Sequence, residues 1–170
     1  LSPTISPDGL KMAYISKSAA AIRSVTILRR PDTKTPFSTD QKSDTLSQKL
    51  NEWSSIANPL PKNHDDGPPI GTIQRLSWFP DSEKIVYDKI NSLSRFHELS
   101  DLHVYDLAKK KNIQLTTGAR AREPAISPSG NFIAFVALDA GRTHLGLLHL
   151  ESRSLKRLYS GALQARISYP

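Results

Sequence analysis

The chain has 170 residues, of which 38% are hydrophobic, a formal net charge of +7 and no cysteine. This length suits one domain, which would bury about two-thirds of its unfolded surface. The absence of cysteine excludes disulfides and thiolate metal sites. No apolar run approaches the roughly 20 residues that a membrane-spanning helix requires. The first residues lack a basic stretch followed by an apolar one, so no secretion signal is visible in them. Because Leu1 already falls within a predicted strand, we expect the natural chain to begin earlier.

The positive charge is spread along the chain rather than gathered in one patch. Several basic residues fall where connections between strands are expected, and aromatic residues are not interleaved with them as a stacking platform for single strands would require. We therefore interpret them as a solvated surface and do not expect nucleic acid as a partner. The alternative, binding of an anion or a nucleic acid, predicts an affinity that falls steeply with salt.

One sequence pattern occurs three times, at Ile5–Ile15, Trp78–Tyr87 and Ile126–Val136. Each copy has a proline, then a polar turn, then a large aliphatic residue, a small or β-branched residue and an aromatic residue. The first copy contains Ser-Pro-Asp-Gly, which fits a type I turn between two strands. Because the same residue types recur at the same offset, we interpret them as turn chemistry rather than catalysis.

The first unit, residues 1–39, is predicted to contain four strands. Pro36 places the fourth strand at a sheet edge, because proline cannot donate a hydrogen bond to a neighbouring strand. The predicted strands are Leu1–Ser6, Lys11–Ser16, Ile22–Arg29 and Thr35–Thr39.

Residues 40–71 interrupt the repeat. The prolines of the first two copies are 73 residues apart, whereas those of the second and third are 48 apart. Asp44 is a candidate cap for a helix that ends near Ala57, with Leu46, Leu50 and Trp53 on one apolar stripe. Such a helix either packs on the parent domain or binds a partner, and several prolines make the rest of the insertion a loop.

The second unit is predicted at residues 72–118 and the third at 119–161, with a further unit starting at 162–170. In the second unit a polar connection is predicted between two strands, at Lys89–Ser100. The predicted strands are Thr72–Phe79, Lys84–Asp88, Asp101–Leu107 and Ile113–Thr116 in the second unit, and residues 122–127, 132–137, 144–150 and 155–159 in the third.

Four strands in roughly 42 to 48 residues are the signature of a β-propeller blade. The segment Leu145–Leu150 is apolar on both faces, as expected for a sheet between neighbouring blades. The sequence thus predicts an all-β fold of three blades with a helix-containing insertion. Propellers typically have about four to eight blades, so we expect these blades to be part of a larger ring.

The repeats resemble those of the TolB propeller family. The resemblance is carried by Asp101–Leu107, Gln114–Gly118 and Arg122–Gly130, and extends over most of the chain outside residues 40–71. It implies a six- or seven-bladed β-propeller that acts as a non-enzymatic docking platform for envelope proteins in the periplasm. Similar repeats form the accessory propeller of prolyl-oligopeptidase-like and tricorn-like serine peptidases, which is the alternative function.

The two ends of a blade carry different connections. The turns from the first to the second strand and from the third to the fourth share one face of the disc, and the remaining connections share the other. The second face would carry residues 40–71 and the longer loops, which usually serve recognition. Aromatic and arginine residues there are candidate anchors for a protein or peptide partner. These candidates are Trp53, Arg95, Phe96, His97, Arg120 and Arg122.

Motifs for chemistry are absent from the sequence. There is no Gly-x-Ser-x-Gly elbow for a hydrolase nucleophile and no glycine-rich phosphate loop. His64–Asp66 offers metal ligands but lacks the acidic spacing of a calcium loop, and a polar loop accounts for it better. The sequence therefore predicts no catalytic, cofactor-binding or metal-ligating residue in this segment.

Overall fold

The computed structural model describes residues 3–17, 23–30, 54–57, 73–94, 97–139 and 141–160. These residues form twelve strands and no helix, arranged as three four-stranded sheets. Every pair of neighbouring strands is antiparallel, and the strands follow one another in chain order across each sheet. This topology confirms the predicted all-β fold of propeller blades.

The strands are numbered in chain order. The first sheet contains β1 (Thr4–Ile5), β2 (Lys11–Lys17), β3 (Arg23–Arg29) and β4 (Ser54–Ala57). The second contains β5 (Leu76–Trp78), β6 (Lys84–Ser94), β7 (His97–Asp106) and β8 (Lys111–Gln114). The third contains β9 (Ala121–Ile126), β10 (Phe132–Asp139), β11 (Arg142–His149) and β12 (Leu155–Ser160).

The turn between the first two strands of each sheet is closed by the same backbone contact. In the first sheet the Gly9 N–H donates to the Ser6 carbonyl at 2.8 Å, and the Asp8 carboxylate accepts from the Leu10 N–H at 2.9 Å. Gly9 has a φ of 71°, which glycine adopts without steric cost. The recurring motif therefore folds as the predicted turn.

Two serines replace turn residues in the other copies, and the structure shows how each is accommodated. Ser82 stands at the position of Gly9 and takes the left-handed conformation, with a φ of 57°. Ser129 stands at the position of Asp8, and its hydroxyl accepts from the Asn131 N–H at 3.4 Å. Because the turn contacts are kept, both substitutions are compatible with the hairpin.

Lys11 joins the first sheet to the second at the end that carries these turns, which we call the turn face. Its side chain is only 5% exposed, and its Nζ lies 2.8 Å from the Glu83 carboxylate and 3.2 Å from that of Asp8. The same ammonium donates to the Ser82 carbonyl at 3.1 Å. The Ser82 hydroxyl also accepts from the Asp8 N–H at 3.0 Å, so the turns of two sheets are hydrogen-bonded directly.

Replacing Lys11 by methionine is expected to lower the free energy of unfolding by about 1 kcal/mol. The loss is modest because both carboxylates are partly exposed and remain hydrated, while methionine keeps the packing of the alkyl chain. Urea denaturation of the purified protein measures it. The matched control is Lys109→Met, because the Lys109 side chain is 75% exposed and its ammonium lies 3.8 Å from the Asp106 carboxylate within one turn. An equal loss in both variants would contradict the inter-sheet role of Lys11.

Two hydrophobic cores fill the spaces between the sheets. The core between the first and second sheets contains Val25, Ile27, Trp78 and Tyr87, and the core between the second and third contains Val86, Leu102, Ile133 and Leu148. The second sheet is thus buried on both faces, as expected for a blade with two neighbours.

The fourth strand of the first sheet lies inside the predicted insertion. Ser54–Ala57 is β4, so a helix reaching Ala57 is wrong for these residues. The predicted strand Thr35–Thr39 and the start of the helix at Asp44 lie outside the described residues. A short outer strand needs only backbone pairing with one neighbour, and this pairing overrides the helical spacing of a few apolar residues.

The position of β4 also changes where the insertion emerges. Ser54 pairs with Arg29, and Arg29 pairs with Lys11 at the turn face. The chain therefore enters β4 at the turn face and leaves it at the opposite end. Residues 40–71 were expected to form one connection at the end opposite the turn face. This expectation is wrong, because β4 lies within them and begins at the turn face.

The predicted loop Lys89–Ser100 is instead mostly β-hairpin. β6 runs to Ser94 and β7 begins at His97, with Asn91 opposite Leu99. Polar side chains are compatible with this hairpin because backbone pairing, unlike core packing, does not require apolar residues. The long irregular loop expected in the second unit is therefore absent.

Candidate interaction surface

The connection from β8 to β9 is held by the buried carboxylate of Asp101. Its Oδ1 accepts from the Thr116 hydroxyl at 2.9 Å and from the Ala119 N–H at 3.1 Å, and its Oδ2 accepts from the Gly118 N–H at 3.0 Å. Asp101 is 1% exposed. A buried carboxylate with several donors fixes its surroundings strongly, so the loop that carries Arg120 is rigidly placed.

A second buried carboxylate, Asp88, ties the second sheet to the third. Its Oδ1 accepts from the N–H groups of Gln74 and Arg75 at 2.8 and 2.9 Å, and its Oδ2 accepts from the Glu123 N–H at 3.1 Å. Glu123 has a φ of 54°, an unfavourable conformation for a residue with a side chain. Burial raises the pKa of Asp88, and the three N–H donors oppose that shift.

These connections lie at the end of the sheets opposite the turn face. We call this end the loop face; it comprises the strand ends at Ser94, His97, Asp139 and Arg142 and the connection Leu115–Arg120. The β6–β7 and β10–β11 hairpins both close here, because β6 and β10 start at the turn face.

A groove of about 510 Å³ lies between the loop-face connection and the third sheet. Its wall is the Gly118–Arg120 segment, and its floor contains side chains from β10, β11 and β12. This volume lies within the usual range for ligand pockets. The lining residues are Gly118, Ala119, Arg120, Phe135, Ala137, Leu138, Asp139, His144, Gly146, Leu155, Lys156 and Arg157.

The floor depends on a glycine in the middle of β11. Gly146 pairs with Phe135, and a Cβ at Gly146 would lie 2.4 Å from the Phe135 ring. Real side chains do not approach so closely, so the phenylalanine ring occupies the space that another residue would fill. A glycine within a strand often marks such a close approach.

The structure separates the predicted binding residues from one another. Arg120 lines the groove with a φ of 49°, whereas Arg122 pairs with Val136 on the opposite face of the third sheet. The Nε of Arg122 is buried without a hydrogen-bond partner. His97 begins β7 at the loop face. The remaining candidates, Trp53, Arg95 and Phe96, lie outside the described residues.

Several groove residues were not predicted as functional from the sequence. Arg157, Asp139 and His144 come from three strands, and only the strand register brings them together. The signal that the sequence does offer is Gly146 within an apolar strand. That glycine marks a close contact but does not reveal its partner.

The described part of the chain holds no cluster of three or more potential metal ligands. His64–Asp66 lies outside it. Within the same described ranges, no helix is long and apolar enough to cross a membrane.

Face-to-face packing of four-stranded antiparallel sheets defines the class of the fold as a β-propeller. No family model matches the chain, and no curated protein matches it. Solved structures do match. A putative TolB from Agrobacterium tumefaciens has a TM-score of 0.62 and 20% identity, with 94% of this chain covering 46% of that one.

Two further structures show the same fold. TolB from Acinetobacter baumannii has a TM-score of 0.56 at 18% identity, with 89% of this chain covering 31% of that one. The β-propeller domain of the Trilobed protease from Pyrococcus furiosus has a TM-score of 0.56 at 14% identity, with 95% of this chain covering 42% of that one. The chain therefore has a TolB-like β-propeller fold and spans less than half the length of each of these proteins.

Proposed function

We propose that the chain is part of a non-enzymatic propeller that docks a partner protein on its loop face, in the manner of TolB-type propellers in the bacterial periplasm. The observation that carries this proposal is the rigid β8–β9 connection, which presents Arg120 beside an open groove. Recognition loops on a rigid scaffold are the usual location of binding sites in such folds. The likeness to two TolB structures supports the same conclusion.

Site-directed photocross-linking tests this proposal. A photoreactive amino acid at Arg120, on the loop face, is expected to form a discrete adduct with a partner in cells. The same group at Pro128, an exposed residue of the turn face, is the control and should form none. Adducts only at Pro128, or none at either site, would contradict docking on the loop face.

The second candidate function is the accessory propeller of a serine peptidase. It is favoured by the likeness to the propeller domain of the Trilobed protease. A fluorophosphonate probe, which labels activated serines, separates the two functions when applied to the complete protein. We expect no labelling; a labelled active serine would establish the peptidase instead.

A further inference from the structure

We propose that the groove and the outer strand β12 together bind an extended acidic peptide that inserts one apolar side chain. This inference rests on the proposed function and specifies the chemistry of the partner. We take this peptide to be a segment of another protein, because an extended strand edge and a basic groove lie side by side.

The floor of the groove suits an apolar side chain. Phe135 and Ala137 lie on the face of β10 that packs toward the second sheet, and the Phe135 ring covers Gly146. Leu138 and Leu155 at the rim are 40% and 54% exposed. Burying these surfaces against an apolar ligand side chain would remove them from water and so favour binding.

The charges of the groove favour an anionic ligand. Three lining residues are basic and one is acidic. Arg157 lies opposite Gly146 on the groove face, and its guanidinium is 3.3 Å from the Asp139 carboxylate. Both side chains are more than half exposed, so this ion pair is weak and can be exchanged for a ligand carboxylate. Arginine binds carboxylates through two parallel hydrogen bonds, which gives direction to the contact.

The edge of the third sheet favours a peptide over a small anion. Among the described residues, β12 is the outermost strand of its sheet and is paired on one side only, with β11. Its Leu155, which pairs with Leu148 and lines the groove, is 54% exposed. The outer strand of the second sheet, β8, instead presents mainly polar residues from Lys111 to Gln114. An exposed apolar edge is a template for a further strand, and extended peptides commonly bind in this way.

The wall of the groove is preorganised for binding. Asp101 accepts the N–H groups of Gly118 and Ala119, so this segment need not be ordered when a ligand arrives. Preorganisation reduces the entropic cost of association. The peptide would therefore meet a fixed wall, a fixed apolar floor and one arginine, Arg157, that can exchange its ion pair with Asp139 for a ligand carboxylate.

Fluorescence anisotropy with a labelled synthetic peptide tests this inference. The peptide carries one central phenylalanine flanked by aspartates and glutamates, and its control replaces every acid by the matching amide. We expect saturable binding of the acidic peptide and an affinity about tenfold lower for the amide version. Arg157→Glu should weaken the acidic peptide by at least about tenfold. Lys111→Glu, an equal change of charge on the outer strand of the second sheet, should leave the affinity within about threefold.

Several outcomes would overturn the inference. Equal losses in the two charge variants would assign binding to overall charge, and equal binding of both peptides would remove the acidic requirement. If the peptide bound only after deletion of residues 161–170, the occupant of the groove would be this chain's own terminal segment. If the protein self-associated and Arg157→Glu abolished the association, the occupant would be a second copy of the chain. If cross-links form at Arg120 but the acidic peptide does not bind, the proposed function survives and this inference fails.

Discussion

Replacing Asp88 by asparagine is expected to lower the free energy of unfolding by about 3 kcal/mol. The carboxylate is 1% exposed and accepts three backbone N–H groups with its two oxygens. An asparagine side chain has one acceptor oxygen, and its NH₂ group would face an N–H donor. At least one buried N–H therefore loses its partner, and the contact between β6 and the strained Glu123 is broken or weakened.

Urea denaturation measures this effect, and hydrogen exchange locates it. The amides of Gln74, Arg75 and Glu123 should exchange faster in the variant. The matched control is Asp81→Asn, because Asp81 accepts the Glu83 N–H at 2.9 Å in an exposed turn. This control should lose no more than about 1 kcal/mol. A similar loss in both variants would show that Asp88 does not join the sheets.

The fold could be predicted largely from its turns. The three copies of the turn motif set the position of strands on either side, because the residues needed for the turn and for the buried strands recur together. β4 could not be predicted, since its extended conformation is imposed by the edge of β3 rather than by Ser54–Ala57 alone. The long β6–β7 hairpin was missed because its outer part is polar and its pairing lies in the backbone.

The candidate site was predictable only in part. Arg120 could be assigned to the loop face because it follows the last strand of a unit. The groove beside it depends on the cross-strand register of Phe135 with Gly146 and on a bulge that shifts β12 after Leu145. Neither feature has a sequence pattern of its own. In the sequence, the two buried carboxylates Asp88 and Asp101 look like ordinary polar strand residues. Their importance is visible only once the backbone N–H groups that they accept are known.

Acidification from pH 7 to pH 5 is expected to destabilise the protein by about 2 kcal/mol through His103 alone. His103 is 6% exposed and stacks on Tyr87 at a centroid distance of 5.7 Å. Its Nε2 is buried without a hydrogen-bond partner. Burial, assisted by the charge of Lys89 and opposed by that of Asp101, lowers the pKa of His103 to about 4.

The direction of the effect follows from which state binds the proton. Between about pH 6.5 and pH 4 the unfolded chain binds a proton at this histidine and the folded chain does not. Stability is therefore lost as the pH falls through this window. His103→Phe keeps an aromatic ring against Tyr87 but cannot titrate, so its stability should fall by about 2 kcal/mol less than that of the parent between pH 7 and pH 5.

The matched control is Asn112→Ala, which removes the acceptor of the Tyr87 hydroxyl, 2.9 Å away at the same interface. It introduces no titrating group, so it should lower stability equally at both pH values. Urea denaturation at pH 7 and pH 5 compares the three proteins. If His103→Phe retained the full pH dependence of the parent, another group would be responsible. If the dependence is lost, His103 is the group whose protonation destabilises the fold in acid.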